Sequence, residues 1–263
     1  MSIKNFTRAV DYVSIGEKMT DEEKTEVFLY LCEFAANSKI TDAEGQVRWL
    51  VQNGVNVDTR TYRDQTALML AVVESDDNST NKMVKLLIEL GADVNAEEDD
   101  YNDVKYTPLY FAAQNSNAEA VRILLEAGAN PNLPSNETPF WIAIMKKHSL
   151  DANILCVVEL LLQYGADPED NFCYIYTCAC DGNEHRLEEL YKFCQLVIKY
   201  TLDKNKLKEY EEYLLDLNER MSEIGEDGVA VPVGVKNENI NMRDKILELV
   251  KLRQIVLRDV DVE

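Results

Sequence analysis

Apolar residues in this chain fall into dense runs separated by polar stretches. Met83, Val84, Leu86, Leu87, Ile88 and Leu90 form one run; Val121, Ile123, Leu124 and Leu125 a second; Val157, Val158, Leu160, Leu161 and Leu162 a third. Such runs are apolar over most of a helix circumference, which predicts helices buried between neighbours. Each run stops at a glycine, in the phrases Asn53-Gly54-Val55-Asn56, Leu90-Gly91-Ala92-Asp93-Val94-Asn95, Ala127-Gly128-Ala129-Asn130-Pro131-Asn132 and Tyr164-Gly165-Ala166-Asp167-Pro168. Glycine ends a helix in a left-handed conformation without steric cost. The four glycines stand 37 residues apart, and an internal period of roughly 20–50 residues marks a stacked repeat array.

A second signal precedes the runs: Thr66-Ala67-Leu68, Thr107-Pro108-Leu109 and Thr138-Pro139-Phe140. Threonine caps the free backbone N–H groups of a helix start, and proline at the first helical position sacrifices no intrahelical bond. Ala71-Val72, Ala112-Ala113 and Ala143-Ile144 follow, small enough for a first helix to lie close to its neighbours. Each unit therefore reads as turn, short helix, loop, second helix and glycine stop.

Thr107-Pro108-Leu109-Tyr110-Phe111-Ala112-Ala113, together with Gly128-Ala129-Asn130-Pro131-Asn132, resembles an ankyrin repeat. The usual period of that family is about 33 residues. The unit from Thr107 to Gly128 keeps the internal spacing. Residues near Asp76–Ser79 and His148–Asn153 lengthen the loops between helices, and residues near Glu97–Asp100 lengthen the finger before the third unit. Met69, Tyr110 and Trp141 stand where the motif commonly has histidine. The resemblance implies an all-α solenoid of about five helix-turn-helix units with atypical terminal repeats.

At the front, Thr20-Asp21-Glu22-Glu23 is a capping box opening a helix to about Asn37, and a second helix follows from about Thr41 to Gly54. At the back, Cys173 to Gly182 keeps first-helix spacing and a second helix ends near Thr201. The expected division is an array over residues 1–201, with three clear repeats at about 62–169 and degenerate repeats at about 20–61 and 170–201. Residues 202–263 form a C-terminal extension: a polar helix over Asp203 to Ile224, a loop over Gly225 to Asn239, and an apolar-rich helix over Asn241 to Val260. Arrays need polar-faced caps, so these helices are expected to cover the last repeat.

Charge narrows the partner class. The chain of 263 residues has 48 acids against 27 bases, a net charge of −21. That disfavours bare nucleic acid, which needs a positive surface, and an anionic membrane. It suits steering toward a basic protein, although solubility alone also accounts for it. No signal-like N-terminal stretch is read: Lys4, Arg8 and Asp11 interrupt residues 2–12. No apolar run is long enough to span a bilayer. The six cysteines sit mostly in helical patterns and fit a reducing cytosol. The expected location is cytoplasmic, or the host cytosol for an effector; non-classical secretion stays open.

Cys173, Cys178, Cys180 and His185 are the one cluster with metal-ligand residue types. Zinc sites usually carry two ligand pairs. Cys178 and Cys180 would point about 200° apart on a helix, since each residue turns about 100°. Core packing is the better reading, and no metal or cofactor is expected. A Cys180–His185 nucleophile pair lacks an orienting third group, His148 sits in a loop insertion, and no phosphate-binding glycine loop is present. The chain is not read as an enzyme; a catalytic function hidden in the C-terminal region is an alternative. The acidic run Glu97, Glu98, Asp99, Asp100, Tyr101 and Asp103 lacks the ligand pattern of a calcium loop. It is either a solvated finger or a contact for Lys and Arg of a partner.

By the resemblance, the concave face made of fingers and first helices binds a protein. Beyond the acidic run it offers Tyr62, Arg63, Gln65, Val73 and Glu74 in the second unit, Tyr106, Gln114 and Asn115 in the third, and Ser135, Glu137, Met145 and Lys146 in the fourth. Tyr62, Arg63, Tyr106 and Met145 rank first, because tyrosine and arginine dominate binding hot spots. The expectation is a monomeric, non-enzymatic interaction module that binds or sequesters a protein, potentially a basic one. The alternative is an interference protein: an immunity protein, a pathogen effector or a viral protein blocking a target.

Overall fold

The computed structural model describes residues 13, 17–34, 40, 42–73, 78–99, 105–133, 137–145, 152–168, 187–223 and 237–260. Among them are eleven helices and one two-stranded hairpin: α1 (Asp21–Glu33), α2 (Ala43–Gln52), α3 (Ala67–Val73), α4 (Asn78–Glu89), β1 (Glu98–Asp99), β2 (Lys105–Tyr106), α5 (Pro108–Gln114), α6 (Ala118–Glu126), α7 (Pro139–Met145), α8 (Ala152–Gln163), α9 (Leu187–Tyr200), α10 (Lys204–Glu223) and α11 (Asn237–Val260). The all-α array expected from the sequence is the fold observed.

The chain divides into two compact units, Met1–Ala143 and Ile144–Glu263. In the first, the leading helices of the repeats form one row, with α1 on α3 and α3 on α5. The second helices form the other row: α2 packs on α1, α4 on α3, α6 on α5, and α4 on α6. The core is the interior of this double row, where Phe28, Leu31, Leu50, Leu87 and Leu124 are fully buried.

The glycine stops close the long helices in one repeated geometry. Gly54, Gly91, Gly128 and Gly165 have φ of 96°, 93°, 92° and 85°. The amide after each donates five residues back: Val55 to Leu50, Ala92 to Leu87, Ala129 to Leu124 and Ala166 to Leu161, at 2.9–3.1 Å. Each glycine amide donates three back, as Gly128 does to Leu125 at 3.0 Å. This is the Schellman arrangement, which satisfies carbonyls the helix leaves free. At the other end the threonines cap the short helices. Thr107 Oγ1 accepts from the Tyr110 amide, and Thr138 Oγ1 from the Trp141 amide, both at 3.2 Å.

Neighbouring repeats are joined by a ladder of Asn and Asp side chains. Asn56, Asp93 and Asn130 each accept from the amide two residues on, at 2.9–3.0 Å, holding the turn after the glycine. Asp58 Oδ1 then accepts from the Asp93 amide at 2.9 Å, and Asn95 Oδ1 from the Asn130 amide at 2.7 Å. Asn95 Nδ2 also donates to the Gly128 carbonyl at 3.2 Å. The same 37-residue period therefore carries both the turn and the contact to the next turn.

In the second unit α8 packs on α9, and α11 packs on both α9 and α10. Leu190, Phe193, Val197, Leu207, Tyr210, Leu214, Ile246 and Val250 are buried there. Two boundaries differ from expectation. α1 stops at Glu33, capped by Phe34, whose amide still donates to Tyr30 at 3.0 Å. α11 begins at Asn237, inside the stretch read as loop.

Candidate protein-binding face

The first finger is a tight hairpin closed by a bridge between Arg60 and Thr66. The Thr61 amide donates to the Gln65 carbonyl at 2.9 Å. Thr61 Oγ1 accepts from the Arg63 and Gln65 amides, both at 3.2 Å. Asp64 takes the left-handed turn position at φ 65°. Arg60 fixes it there: one guanidinium nitrogen reaches the Asp64 carbonyl (3.0 Å), the Asp64 carboxylate (2.8 Å) and the Glu97 carbonyl of the next finger (2.8 Å). At the braced tip Tyr62 is 91% exposed. The Arg63 guanidinium lies 5.4 Å from its ring centroid.

The second finger pairs β1 with β2 antiparallel, Glu98 opposite Tyr106 and Asp99 opposite Lys105. Lys105 Nζ lies 3.0 Å from Glu97 Oε2, and Gln65 Nε2 donates to Glu98 Oε2 at 3.4 Å. The two fingers are thus tied side by side, with Glu97 and Glu98 at the seam.

Tyr106 has a different setting from Tyr62. Its ring packs 4.5 Å from that of Tyr110 and 6.0 Å from that of Phe111. Tyr110 donates its hydroxyl proton to Glu137 Oε2 at 3.2 Å, and Gln114 hydrogen-bonds the same hydroxyl. Burial first, then the Glu137 charge, pushes the Tyr110 phenol far above its ordinary range. It is a neutral donor at physiological pH. Asn115 Nδ2 donates to the Val73 carbonyl at 3.1 Å, pinning the end of α5 to the end of α3; the Val73 side chain remains 40% exposed.

The structure therefore gathers Tyr62, Arg63, Gln65, Glu97, Glu98 and Tyr106 on the two fingers. It gives Gln65, Gln114, Asn115 and Glu137 intramolecular bonds that brace the face. Met145 is half-buried at the end of α7, in the second unit. Asp99 is described as β1 backbone. Glu74, Asp100, Tyr101, Asp103, Ser135 and Lys146 lie outside the described residues, as do Cys173, Cys178, Cys180, His185 and His148.

Two bases of the first unit are engaged with acids of the neighbouring repeat: Arg48 with Glu89 at 2.8 Å and Lys85 with Glu119 at 3.4 Å. Among the described residues no group of three or more His, Cys, Asp or Glu could hold a metal ion, and no helix is long and apolar enough to cross a membrane. Of the described cysteines Cys32 and Cys194 are buried and Cys156 is exposed. Burial raises the Cys32 thiol well above its usual range, which makes it a packing group.

Comparison with known proteins agrees with this geometry. Residues 79–172 match the family model for ankyrin repeats, in three copies. A stretch of 63 residues is 43% identical to the protein named "Ankyrin repeat, SAM and basic leucine zipper domain-containing protein 1" from Homo sapiens, Gorilla gorilla gorilla and Papio anubis. That stretch is 24% of this chain and spans only 13% of the relative's length. The relatives are ankyrin-repeat proteins, and such repeats bind protein partners.

Proposed function

We propose, from a chain that carries ankyrin repeats, that its two-finger face is the surface that binds a partner. The reading is a non-enzymatic module, monomeric outside its complex and acting in the cytoplasm, with a basic protein as its target. One observation carries it: Tyr62 stands 91% exposed on a hairpin tip that Arg60 holds by three hydrogen bonds. A large aromatic ring on a rigid support loses little entropy on binding. Glu97 and Glu98 put carboxylates at the seam of the two fingers, which suits a partner presenting Lys or Arg. The net charge of −21 favours encounter with such a partner.

Affinity capture from native lysate, washed at low and at high salt, tests the basic partner. A stoichiometric basic protein released by high salt is the expected result, because exposed charge contacts are screened within about 10 Å at 0.1 M salt. A partner that resists the salt wash would transfer the weight from Glu97 and Glu98 to the aromatic tip. Absence of any enriched protein at either salt would contradict the reading.

A further inference from the structure

The first glycine stop carries a chemistry that the other three lack. Leu90, Ala127 and Tyr164 precede Gly91, Gly128 and Gly165, whereas Asn53 precedes Gly54, the one Asn-Gly pair in the chain. An asparagine followed by glycine is the dipeptide most open to deamidation, because glycine has no side chain to hinder attack on the asparagine amide. Asn53 and Gly54 are both exposed to water. Beyond its chain neighbours, no heavy atom lies within 4 Å of where a side chain on Gly54 would begin. The space beside the reacting bond is therefore open.

The folded turn nevertheless holds both reacting groups. Asn53 Nδ2, the nitrogen that would leave, donates to the Trp49 carbonyl at 2.8 Å. The Gly54 amide, the nitrogen that would attack, donates to the Val51 carbonyl at 3.2 Å. The Asn53 amide is tied to the Trp49 and Leu50 carbonyls at 3.0 and 3.1 Å, and the residue sits at φ −102° and ψ 28°. On the far side Val55 is buried and its amide donates to Leu50 at 3.1 Å. Ring closure must bring the Gly54 nitrogen onto Asn53 Cγ, which breaks the Gly54 and Nδ2 bonds together. The closed turn bars that approach. Fraying of the last turn of α2, a local opening that costs less than global unfolding, admits it.

We infer that Asn53 is a deamidation site gated by opening of the last turn of α2, and that its modification irreversibly loosens the first repeat. In the open turn the Gly54 amide nitrogen gives its proton to hydroxide and attacks Asn53 Cγ. The N–Cγ bond forms, the Cγ–Nδ2 bond breaks, and Nδ2 takes a proton from water and departs as ammonia. Water then opens the five-membered succinimide at either carbonyl, leaving aspartate or isoaspartate at position 53. Either product replaces the Nδ2 donor with a carboxylate beside the free carbonyls of the α2 C-terminus. The bond to Trp49 is lost, and negative charge is unfavourable at that end of a helix. The isoaspartyl form also lengthens the main chain just before Gly54, out of register with the Val55–Leu50 bond. The same turn leads into Asp58, whose carboxylate accepts from the Asp93 amide of the next repeat. This site does not depend on the finger-face reading.

The test incubates the full chain in mildly alkaline buffer and follows the peptide containing Asn53 by mass spectrometry, with isoaspartate read by enzymatic methylation. The chain unfolded in urea should deamidate at Asn53 about tenfold or more faster than the folded chain. Equal rates would overturn the gate, and an unmodified Asn53 in the unfolded chain would overturn the site. Urea well below the unfolding midpoint separates local from global opening. A rate that stays flat there is expected for fraying of one turn, whereas a rate that tracks the globally unfolded fraction would overturn the local gate. Val55→Ala, which loosens the anchor after Gly54, should speed the reaction in the folded state; if that variant does not fold, the urea series on the unaltered chain decides. Finally, Asn53→Asp should lower the urea midpoint, and an unchanged midpoint would refute the loosening.

Discussion

Two tyrosines on adjacent fingers, ranked alike from the sequence, have opposite settings. Tyr62 is 91% exposed, whereas Tyr106 packs 4.5 Å from Tyr110 and 6.0 Å from Phe111. Register explains the difference. Tyr62 stands four positions before the capping Thr66, at the hairpin tip. Tyr106 stands immediately before the capping Thr107, at the position that Gln65 and Glu137 occupy in their own units. That position faces the neighbouring repeat: Gln65 bonds to Glu98, and Glu137 receives the Tyr110 hydroxyl. Position relative to the cap therefore separates an exposed tip from a brace.

The largest expected effect tests the base of the brace. Tyr110 is 4% exposed, and Tyr110→Ala should cost about 3–4 kcal/mol in urea unfolding, the range for losing a buried aromatic ring. A loss below about 1 kcal/mol would mean that the aromatic cluster supports nothing. Next comes the tip: Tyr62→Ala should weaken partner binding by about 2 kcal/mol or more while leaving the melting curve in place. A shifted melt would make Tyr62 a structural residue and erase the contrast. Asn95→Ala removes two bonds to the next turn and should cost about 1–2 kcal/mol of stability, compared with the unaltered chain by the same urea titration. Tyr106→Ala should cost about 1 kcal/mol from lost ring packing, a stability change that Tyr62→Ala does not share.

The smallest effect is in pH. The Tyr110 phenol is raised in the folded chain by burial and by Glu137. Its contribution is complete below the unfolded value of about 10 and is lost as pH rises from there toward the folded value. The difference in urea midpoint between Tyr110→Phe and the unaltered chain should therefore change above about pH 10, with the unaltered chain losing more. Parallel curves would remove the Tyr110–Glu137 coupling from the account.

Much of the fold was legible because its signals are local. Gly128 ends a helix and Thr107 begins one through bonds within a few residues, so sequence spacing alone locates both. Asn95, Gln65 and Asn115 were not legible as braces, because their partners Asn130, Glu98 and Val73 are 33–42 residues away. Their roles depend on how closely adjacent repeats approach. A signal for the ladder does exist: Asn56, Asp93, Asn130 and Asp167 recur at the glycine period, as do Asp58, Asn95 and Asn132. In the fourth repeat Asp167 also engages Lys206, a contact that spacing does not disclose.

The central claim is that the braced finger tip is the anchor of a protein interface. Its most direct test is parallel quantitative capture from one native lysate by the unaltered chain and by Tyr62→Ala, with melting curves recorded for both. The account predicts equal melting curves and a stoichiometric partner depleted by about 30-fold or more on the variant, the equivalent of about 2 kcal/mol. An identical set of captured proteins on two equally stable chains would contradict it.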